Sequence, residues 1–390
     1  NALCRESGLR YRDEWEKLSD GIAYWLDYAH PYVTCSAEYV ESVWALLKRL
    51  HDRKLLYRGH RVLPYCPRCG TVLSSHELAL GYEEIQDNSV YVTFPLADGS
   101  GRELVVWTTT PWTLPSNVAV AVHPELPYNT YTGKKHPGRR FIVASTRAAA
   151  LETVFGGEIR ADGKEFLGRE LVGLAYTRPL DVVPLPDDRK HQIVVPGDFV
   201  TAHDGSGLVH MAPAFGSDDF AAGQEHGLAL VRPVAADGTF QGTNWPALEG
   251  KLVTDKATND LIIRRLKELG RWLHTEPHQH SYPHCWRCQS KLIYYARDSW
   301  FVRTSAVKAR MLEFNRSVGW HPPEAGSGRF GEWLENNVDW ALSRDRYWGT
   351  PLPVWSCDRE PTHVDVIGSY DHLFAKVGRP KPAEFDPHKP

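Results

Sequence analysis

Two Cys-x-x-Cys pairs, Cys66-Pro-Arg-Cys69 and Cys285-Trp-Arg-Cys288, constrain this chain more than any other feature, because 215 residues separate them. Two residues between thiols let one tight turn aim both sulfurs at one ion, and two such turns make a closed tetrahedral Cys4 zinc site. Each pair follows a similar lead-in, Leu63-Pro-Tyr65 and Tyr282-Pro-His284, so they read as matched halves. The separation is too long for a self-contained zinc ribbon. It fits a clip at the base of an inserted domain, where the chain leaves and returns. Three readings compete: a redox pair, expected singly near a βαβ pattern; disulfides, which need an oxidising compartment; and pairs that hold no metal. Cys4, Cys35 and Cys357 have no partner at ligand spacing and read as buried thiols, with Cys357 and His363 a candidate remnant of a second site.

At 390 residues the chain has room for two or three cores. Residues 1–60 read as helical. Along Glu38 to His51, Val40, Val43, Trp44, Leu47 and Leu50 share one face, and Ser36 is placed to cap the first turn. From about 88 to 250 short β-rich runs alternate with Gly, Pro and Asp turns: Val90–Phe94, Leu104–Trp107, Val118–Val122, Phe141–Val143, Ile193–Val195 and Leu208–His210. That texture predicts a compact, mostly β domain. A helix follows over 255–269, stopped by Gly270. Beyond 290 the chain turns helical and aromatic-rich around Trp300, Trp333, Trp340 and Trp348.

Charge excludes little but locates something. Net charge is −3, from 45 Lys+Arg against 48 Asp+Glu, so bulk charge gives no nucleic-acid footprint. The local candidate is Lys134, Lys135, Arg139 and Arg140 in one short run, whose alternative is a solvated hairpin loop. No apolar run approaches the roughly 18 residues of a membrane span. The start lacks Met and a signal-peptide layout, so the chain is expected to be a piece of something longer. Common catalytic motifs fail. Gly157 to Lys164 has five residues between its glycines and Glu165 where a phosphate loop needs Ser or Thr; His76-Glu77 is followed by Leu80 where a zinc protease needs His; no Gly-x-Ser-x-Gly occurs.

Two segments carry chemistry. In Trp107-Thr-Thr-Thr-Pro-Trp-Thr-Leu-Pro-Ser-Asn117, three threonines end a β run, and their hydroxyls can donate to and accept from a sugar edge or an ester carbonyl. In Gly205-Ser-Gly-Leu-Val-His-Met-Ala-Pro-Ala-Phe-Gly-Ser-Asp-Asp219, a glycine turn leads into a strand carrying His210. A second turn then brings Asp218 and Asp219 to a helix start at Phe220. An acid there either caps the helix or projects toward a ligand's ammonium group; spacing leaves both open.

Together these segments resemble the editing site of isoleucyl-tRNA synthetase, and the resemblance covers essentially the whole chain. Tyr39-Val-Glu-Ser-Val-Trp44, Leu55-Leu-Tyr57 and Pro64 to Cys69, with Leu73 to Glu77, resemble the stretch entering the editing insertion. Asp298-Ser-Trp-Phe301 and Trp340 to Pro353, including Arg344, Arg346 and Trp348, resemble the return into the catalytic domain. Valyl and leucyl relatives usually carry Thr-Thr-Arg-Pro, so Thr110 before Pro111-Trp112 favours the isoleucyl member.

The resemblance implies an α/β protein: a mostly β editing domain inserted, through a zinc-ribbon-like Cys4 base, into pieces of a class I Rossmann catalytic domain. Residues 1–60 and 301–390 would be the Rossmann pieces, 61–86 with 276–300 the zinc base, and 87–275 the editing domain. Asp219 would bind the α-ammonium of a misattached residue, and His210 would wall its side-chain pocket. Thr108, Thr109, Thr110 and Asn117 would hold the terminal adenosine, with Trp107 packed beneath and Gly207 and Asp218 completing the pocket. Cys66, Cys69, Cys285 and Cys288 would be the structural zinc ligands, and the basic run of Lys134, Lys135, Arg139 and Arg140 remains the candidate for tRNA contact on local charge. The implied partners are tRNA(Ile), isoleucine and valine, in a cytoplasmic, non-membrane, monomeric enzyme whose complete form uses ATP and Mg. The family's His-Ile-Gly-His-type and Lys-Met-Ser-Lys-Ser-type motifs do not occur here, so this chain alone is expected not to form an adenylate. A valyl relative and a catalytically silent, zinc-stabilised RNA-binding module are the alternatives.

Overall fold

The computed structural model describes residues 2–73, 75–344, 348–360, 363–383 and 385–388. Ser74 and Arg346, both within the resembling flanks, lie outside the described residues. Two compact units emerge, His60–Arg297 and a second made of Asn1–Gly59 with Asp298–Pro390.

The first unit is organised by strands whose two faces are both apolar. In chain order they are β1 (Leu56–Cys66, entering from the other unit), β2 (Thr71–Val72), β3 (Tyr82–Pro95), β4 (Arg102–Thr108) and β5 (Ala119–Val122). There follow β6 (Pro127–Gly133), β7 (Arg140–Ala144), β8 (Ile159–Ala161), β9 (Phe166–Leu167), β10 (Ile193–Pro196), β11 (Leu208–Met211), β12 (Trp272–Pro283) and β13 (Ile293–Val302). The large sheet runs β12-β3-β4-β7-β6-β8, with β9 also on β6. Successive residues of a strand face opposite ways. Val90, Val92 and Phe94 of β3 therefore enter one core while Tyr91 enters another with Phe141 and Phe155. A small sheet, β10-β5-β11, supplies much of the first core. There β11 pairs antiparallel to β5 with His210 opposite Val120, while β10 is parallel to β5.

The ends of this unit are tied by a long ladder. β12 pairs antiparallel to β3 from Pro283↔Tyr82 to Trp272↔Val92, with one irregularity between Trp272 and His274. The helix Lys256–Glu268 packs Ile262 and Leu266 into the first core and ends where Gly270 adopts φ +67°.

In the second unit, helix Ala37–Asp52 forms as its pattern predicts. Ser36 Oγ accepts from the Tyr39 amide, and Val40, Trp44 and Leu47 are buried. Trp44 packs against Tyr370, whose hydroxyl donates to the Ala37 carbonyl. The strand pairings described here are antiparallel, β13 with β14 (Trp340–Ala341) and β15 (Val354–Ser356) with β16 (Val364–Val366). The sequence reading of Cys4, Cys35 and Cys357 as buried thiols is corrected: all three are half-buried. They lie outside the tightly packed positions that the apolar periodicity selects. Among the described residues no helix is long and apolar enough to cross a membrane.

Candidate functional site

The threonine segment is less strand-like than its composition suggests. β4 ends at Thr108, and Pro111, which cannot donate to a ladder, opens a 3-10 turn over Pro111–Ser116. The hydroxyls then bond to one another: Thr108 Oγ1 lies 3.3 Å from Thr110 Oγ1, and Thr110 Oγ1 lies 3.4 Å from Thr113 Oγ1. The Thr110 amide also donates to Thr108 Oγ1 at 3.1 Å.

His210 comes from β11, which lies beside β4 in space, and its ring closes against the turn. Its Nε2 is 2.8 Å from Thr113 Oγ1 and its Nδ1 is 3.5 Å from Asn117 Nδ2. Burial pushes this imidazole down to about 4, so it is neutral at physiological pH. Asp219 is the third residue of helix Ser217–His226, whose N-cap is Gly216. One carboxylate oxygen accepts from the Ala212 amide at 2.8 Å. Burial pushes Asp219 up to about 6, the Ala212 bond opposes that and nearby Asp218 adds to it. Asp219 thus performs neither of its sequence-stated alternatives exclusively: it sits in the helix's first turn and also lines a cavity.

That cavity, about 270 Å³, is lined by Trp107, Thr108, Thr109, Thr110, Thr113, Val209, His210, Ala212, Phe215 and Asp219. It brings together hydroxyls, one acidic group and an apolar wall. No nucleophile–base pair is present on this wall, since both His210 nitrogens are engaged by neighbours. The chemistry on offer is recognition of a cation, hydrogen bonding to a polar ligand and orientation of water. A second cavity of about 310 Å³ shares Thr109 and Thr110. Its polar groups are largely satisfied internally: Lys291 pairs with Asp87, Lys256 with Asp260, and Asn259 Oδ1 accepts from the Trp112 amide.

Three expected site residues lie off the cavity wall. Asn117 is fully buried and bonds Ala119 O and Tyr176 Oη, so it supports His210 rather than reaching a ligand. Gly207 faces away from the cavity. An added Cβ would lie 2.3 Å from Ala144 Cβ, and its φ of +78° already demands glycine. Asp218 is exposed on the helix and does not line the cavity. The basic run is likewise mostly committed. It is a β6–β7 hairpin loop in which Arg139 grips Glu103 through two bonds at 2.7 and 2.5 Å and Arg140 bonds Asp162 at 2.6 Å. Lys134 and Lys135 are exposed, with Lys134 3.5 Å from the Glu158 carboxylate.

Sequence reasoning missed Thr113, Tyr176 and Arg147. Arg147 donates to the carbonyls of His203 and Gly205, fixing the turn against which Trp107 packs. Its only sequence signal was a cation beside an apolar strand.

The four paired cysteines meet. Their sulfurs lie within 4.8 Å of one another, with Cys66 to Cys288 at 3.5 Å and Cys69 to Cys285 at 3.9 Å. A tetrahedron with metal–sulfur bonds of about 2.3 Å has sulfur–sulfur edges of about 3.8 Å, whereas a disulfide needs about 2.05 Å. The set therefore fits a metal ion and could hold one. The two knuckles match in backbone too. Gly70 and Gln289 follow the second cysteine of each pair at φ +66° and +59°, and their amides donate to the Cys66 and Cys285 carbonyls. Among the described residues this is the group able to hold a metal; Cys357 and His363 join only through a backbone bond.

Comparison with known proteins decides the family. The family described as tRNA synthetases class I (I, L, M and V) matches residues 1–383. The chain belongs to the class I tRNA synthetases. Similar synthetases include the isoleucine–tRNA ligases of Thermus thermophilus, 45% identical, and Streptomyces coelicolor, 44% identical, each across 100% of this chain. The chain spans 36% of the length of either ligase. The cytosolic leucyl-tRNA synthetase editing domain of P. knowlesi aligns with 49% of this synthetase chain and 97% of that domain, at 12% identity and a TM-score of 0.36.

Proposed function

We propose that this chain carries the editing centre of an isoleucine–tRNA ligase and hydrolyses the ester of valine misattached to tRNA(Ile). The observation that supports this most is the single cavity joining Thr108, Thr109, Thr110, Thr113, His210 and Asp219. The free oxygen of Asp219 would accept from the α-ammonium of the ester in a charge-assisted bond. The threonine hydroxyls would hold the terminal ribose and orient the attacking water. His210 would limit the amino-acid side chain by bulk. Catalysis would rest on positioning, with the Asp219 carboxylate committed to the ammonium and His210 bonded at both ring nitrogens. The need is physical. Isoleucine exceeds valine by one methylene, worth about 1–3 kcal/mol of discrimination, a figure for which this enzyme family is the standard case.

The Cys4 set would hold zinc in a structural role, because four thiolates leave no open position for water. The complete enzyme would attach isoleucine to tRNA(Ile) using ATP and Mg. Lys134 and Lys135 are the remaining candidates for tRNA contact in the hairpin loop. The test incubates zinc-loaded chain with valyl-tRNA(Ile) and isoleucyl-tRNA(Ile), beside Asp219→Ala. Selective loss of valine, abolished by the variant, is expected. Cleavage of neither ester by folded protein would overturn the assignment.

A further inference from the structure

The hydrogen-bond directions around His210 are set from the Asn117 side, and the chain that sets them starts well outside the cavity. Tyr176, buried beside β10, donates from its hydroxyl to Asn117 Oδ1 at 2.6 Å. The Asn117 amide cannot be turned over, because its nitrogen lies 2.9 Å from the Ala119 carbonyl, which only accepts. Its second amide proton therefore points at His210 Nδ1, 3.5 Å away, and that nitrogen must present a lone pair. The neutral ring then carries its proton on Nε2.

The other side of the ring accommodates the same tautomer. Thr113 has one hydroxyl proton, and its oxygen lies 2.9 Å from the Thr110 carbonyl, an obligate acceptor. With that carbonyl taking the hydroxyl proton as well as the Thr113 amide, the Thr113 oxygen is open to accept from His210 Nε2–H at 2.8 Å, the direction that the Asn117 side requires. A second ring proton would set Nδ1–H against the Asn117 amide, donor against donor. Two segments, Thr110 to Ala119 and Tyr176 acting through Asn117, thus converge on one imidazole, from both of its nitrogens.

We propose that Tyr176 and Thr113 are positioning residues that lock His210 in its Nε2–H tautomer and one ring orientation, making it a rigid steric wall that exchanges no proton in the reaction. The proposal rests on the reading of this cavity as the amino-acid pocket. A ring free to rotate would change the shape of the pocket by more than the one methylene it has to sense. A ring bonded at both nitrogens cannot rotate without breaking both bonds.

The test combines a spectrum with a selectivity measurement on the full, metal-loaded chain. In ¹⁵N-histidine-labelled protein, the His210 ring, assigned by its disappearance in His210→Phe, is expected as the Nε2–H tautomer with no titration between pH 5.5 and 8. Thr113→Val keeps the shape and removes the acceptor. It is expected to lower the valine-over-isoleucine deacylation ratio about tenfold, the scale of one lost buried hydrogen bond, while Thr113→Ser restores it. Tyr176→Phe should broaden or shift the His210 ring signals without moving the circular dichroism spectrum. An Nδ1–H tautomer, or titration near pH 6.5, overturns the proposal. So does an unchanged ratio in folded Thr113→Val. If the unaltered chain cleaves neither ester, the editing reading fails, and the ring spectrum alone decides whether His210 is locked.

Discussion

At the scale of single residues, Asp219 is the group whose state sets the site. Its carboxyl is held up to about 6 by burial, and only the ionised form can pair with an ammonium. The charged form exists above that pKa, so kcat/KM for the valyl ester should be flat at neutral pH and fall as pH drops through about 6. In kcat the fall should come at lower pH, since bound ammonium favours the carboxylate. Initial rates between pH 4.5 and 7.5, corrected for spontaneous hydrolysis, would show this; a flat kcat/KM profile would dissociate Asp219 from substrate binding. The same shift has a stability face. The folded pKa exceeds the unfolded value of 3.8, so folding favours the protonated acid. Stability is lost as pH rises from about 4 to 6 and stays lower above, by at most about 3 kcal/mol. Asp219→Asn keeps an acceptor for the Ala212 amide and removes the charge. Its Tm at pH 7 should hold or rise while deacylation disappears; a drop of several degrees would contradict this. Asp219, His210 and the threonines stood out in the sequence through the two segments that carry the family resemblance, and the fold brings them to one cavity. Thr113 and Tyr176 could not: each is an ordinary strand-former or turn residue, and only folding shows where its proton goes. The place of Asn117 behind His210 could not be read for the same reason, since a sequence shows an amide's capacity but not its partners.

At the scale of elements, local rules worked where one segment decides its own conformation. The Ser36 cap, the Gly270 stop and the β-rich runs of β3 and β4 followed from capping and from short apolar runs bounded by turn residues. The order β12-β3-β4-β7-β6-β8 could not be read, because it depends on pairings between segments up to some two hundred residues apart. The knuckles show a local mismatch that sequence passes over. Gly70 takes a left-handed conformation without cost, but Gln289 takes the same one with a side chain attached. Gln289→Gly should therefore stabilise the metal-loaded protein by about 0.5–1 kcal/mol, offset in part by the greater entropy of an unfolded glycine. Gly207→Ala should do the reverse, since it meets Ala144 at 2.3 Å as well as carrying φ +78°. Denaturant midpoints of both variants would check the signs; a destabilised Gln289→Gly would mean its side chain has a role in the knuckle.

At the scale of the whole molecule, two devices close the same long excursion of the chain, and they differ in what they protect. The Cys4 set ties Cys66 to Cys288 across the base, while the β3–β12 ladder zips the same two chain ends together from Tyr82↔Pro283 inward. Thermodynamically the metal should matter greatly. Binding that exists only in the folded state adds directly to folding free energy, and structural zinc binds small peptides with about 10–16 kcal/mol. Even a modest part of that, about 4 kcal/mol, moves the Tm of a domain this size by about 10 °C. The cavity, however, lies beyond the ladder, on β4, β11 and the 3-10 turn, whose bonds do not pass through any cysteine. Chelation is thus expected to lower the melting temperature strongly yet leave deacylation at 25 °C nearly intact while the protein remains folded. Thermal scans with and without chelator, paired with valyl ester assays on the same samples, would separate the two effects. Activity lost together with the metal, in protein still folded, would mean that the knuckles and not the ladder hold the cavity in shape. Equal melting temperatures with and without a bound ion would mean instead that the Cys4 set contributes nothing to the fold, contrary to the geometry of its four sulfurs.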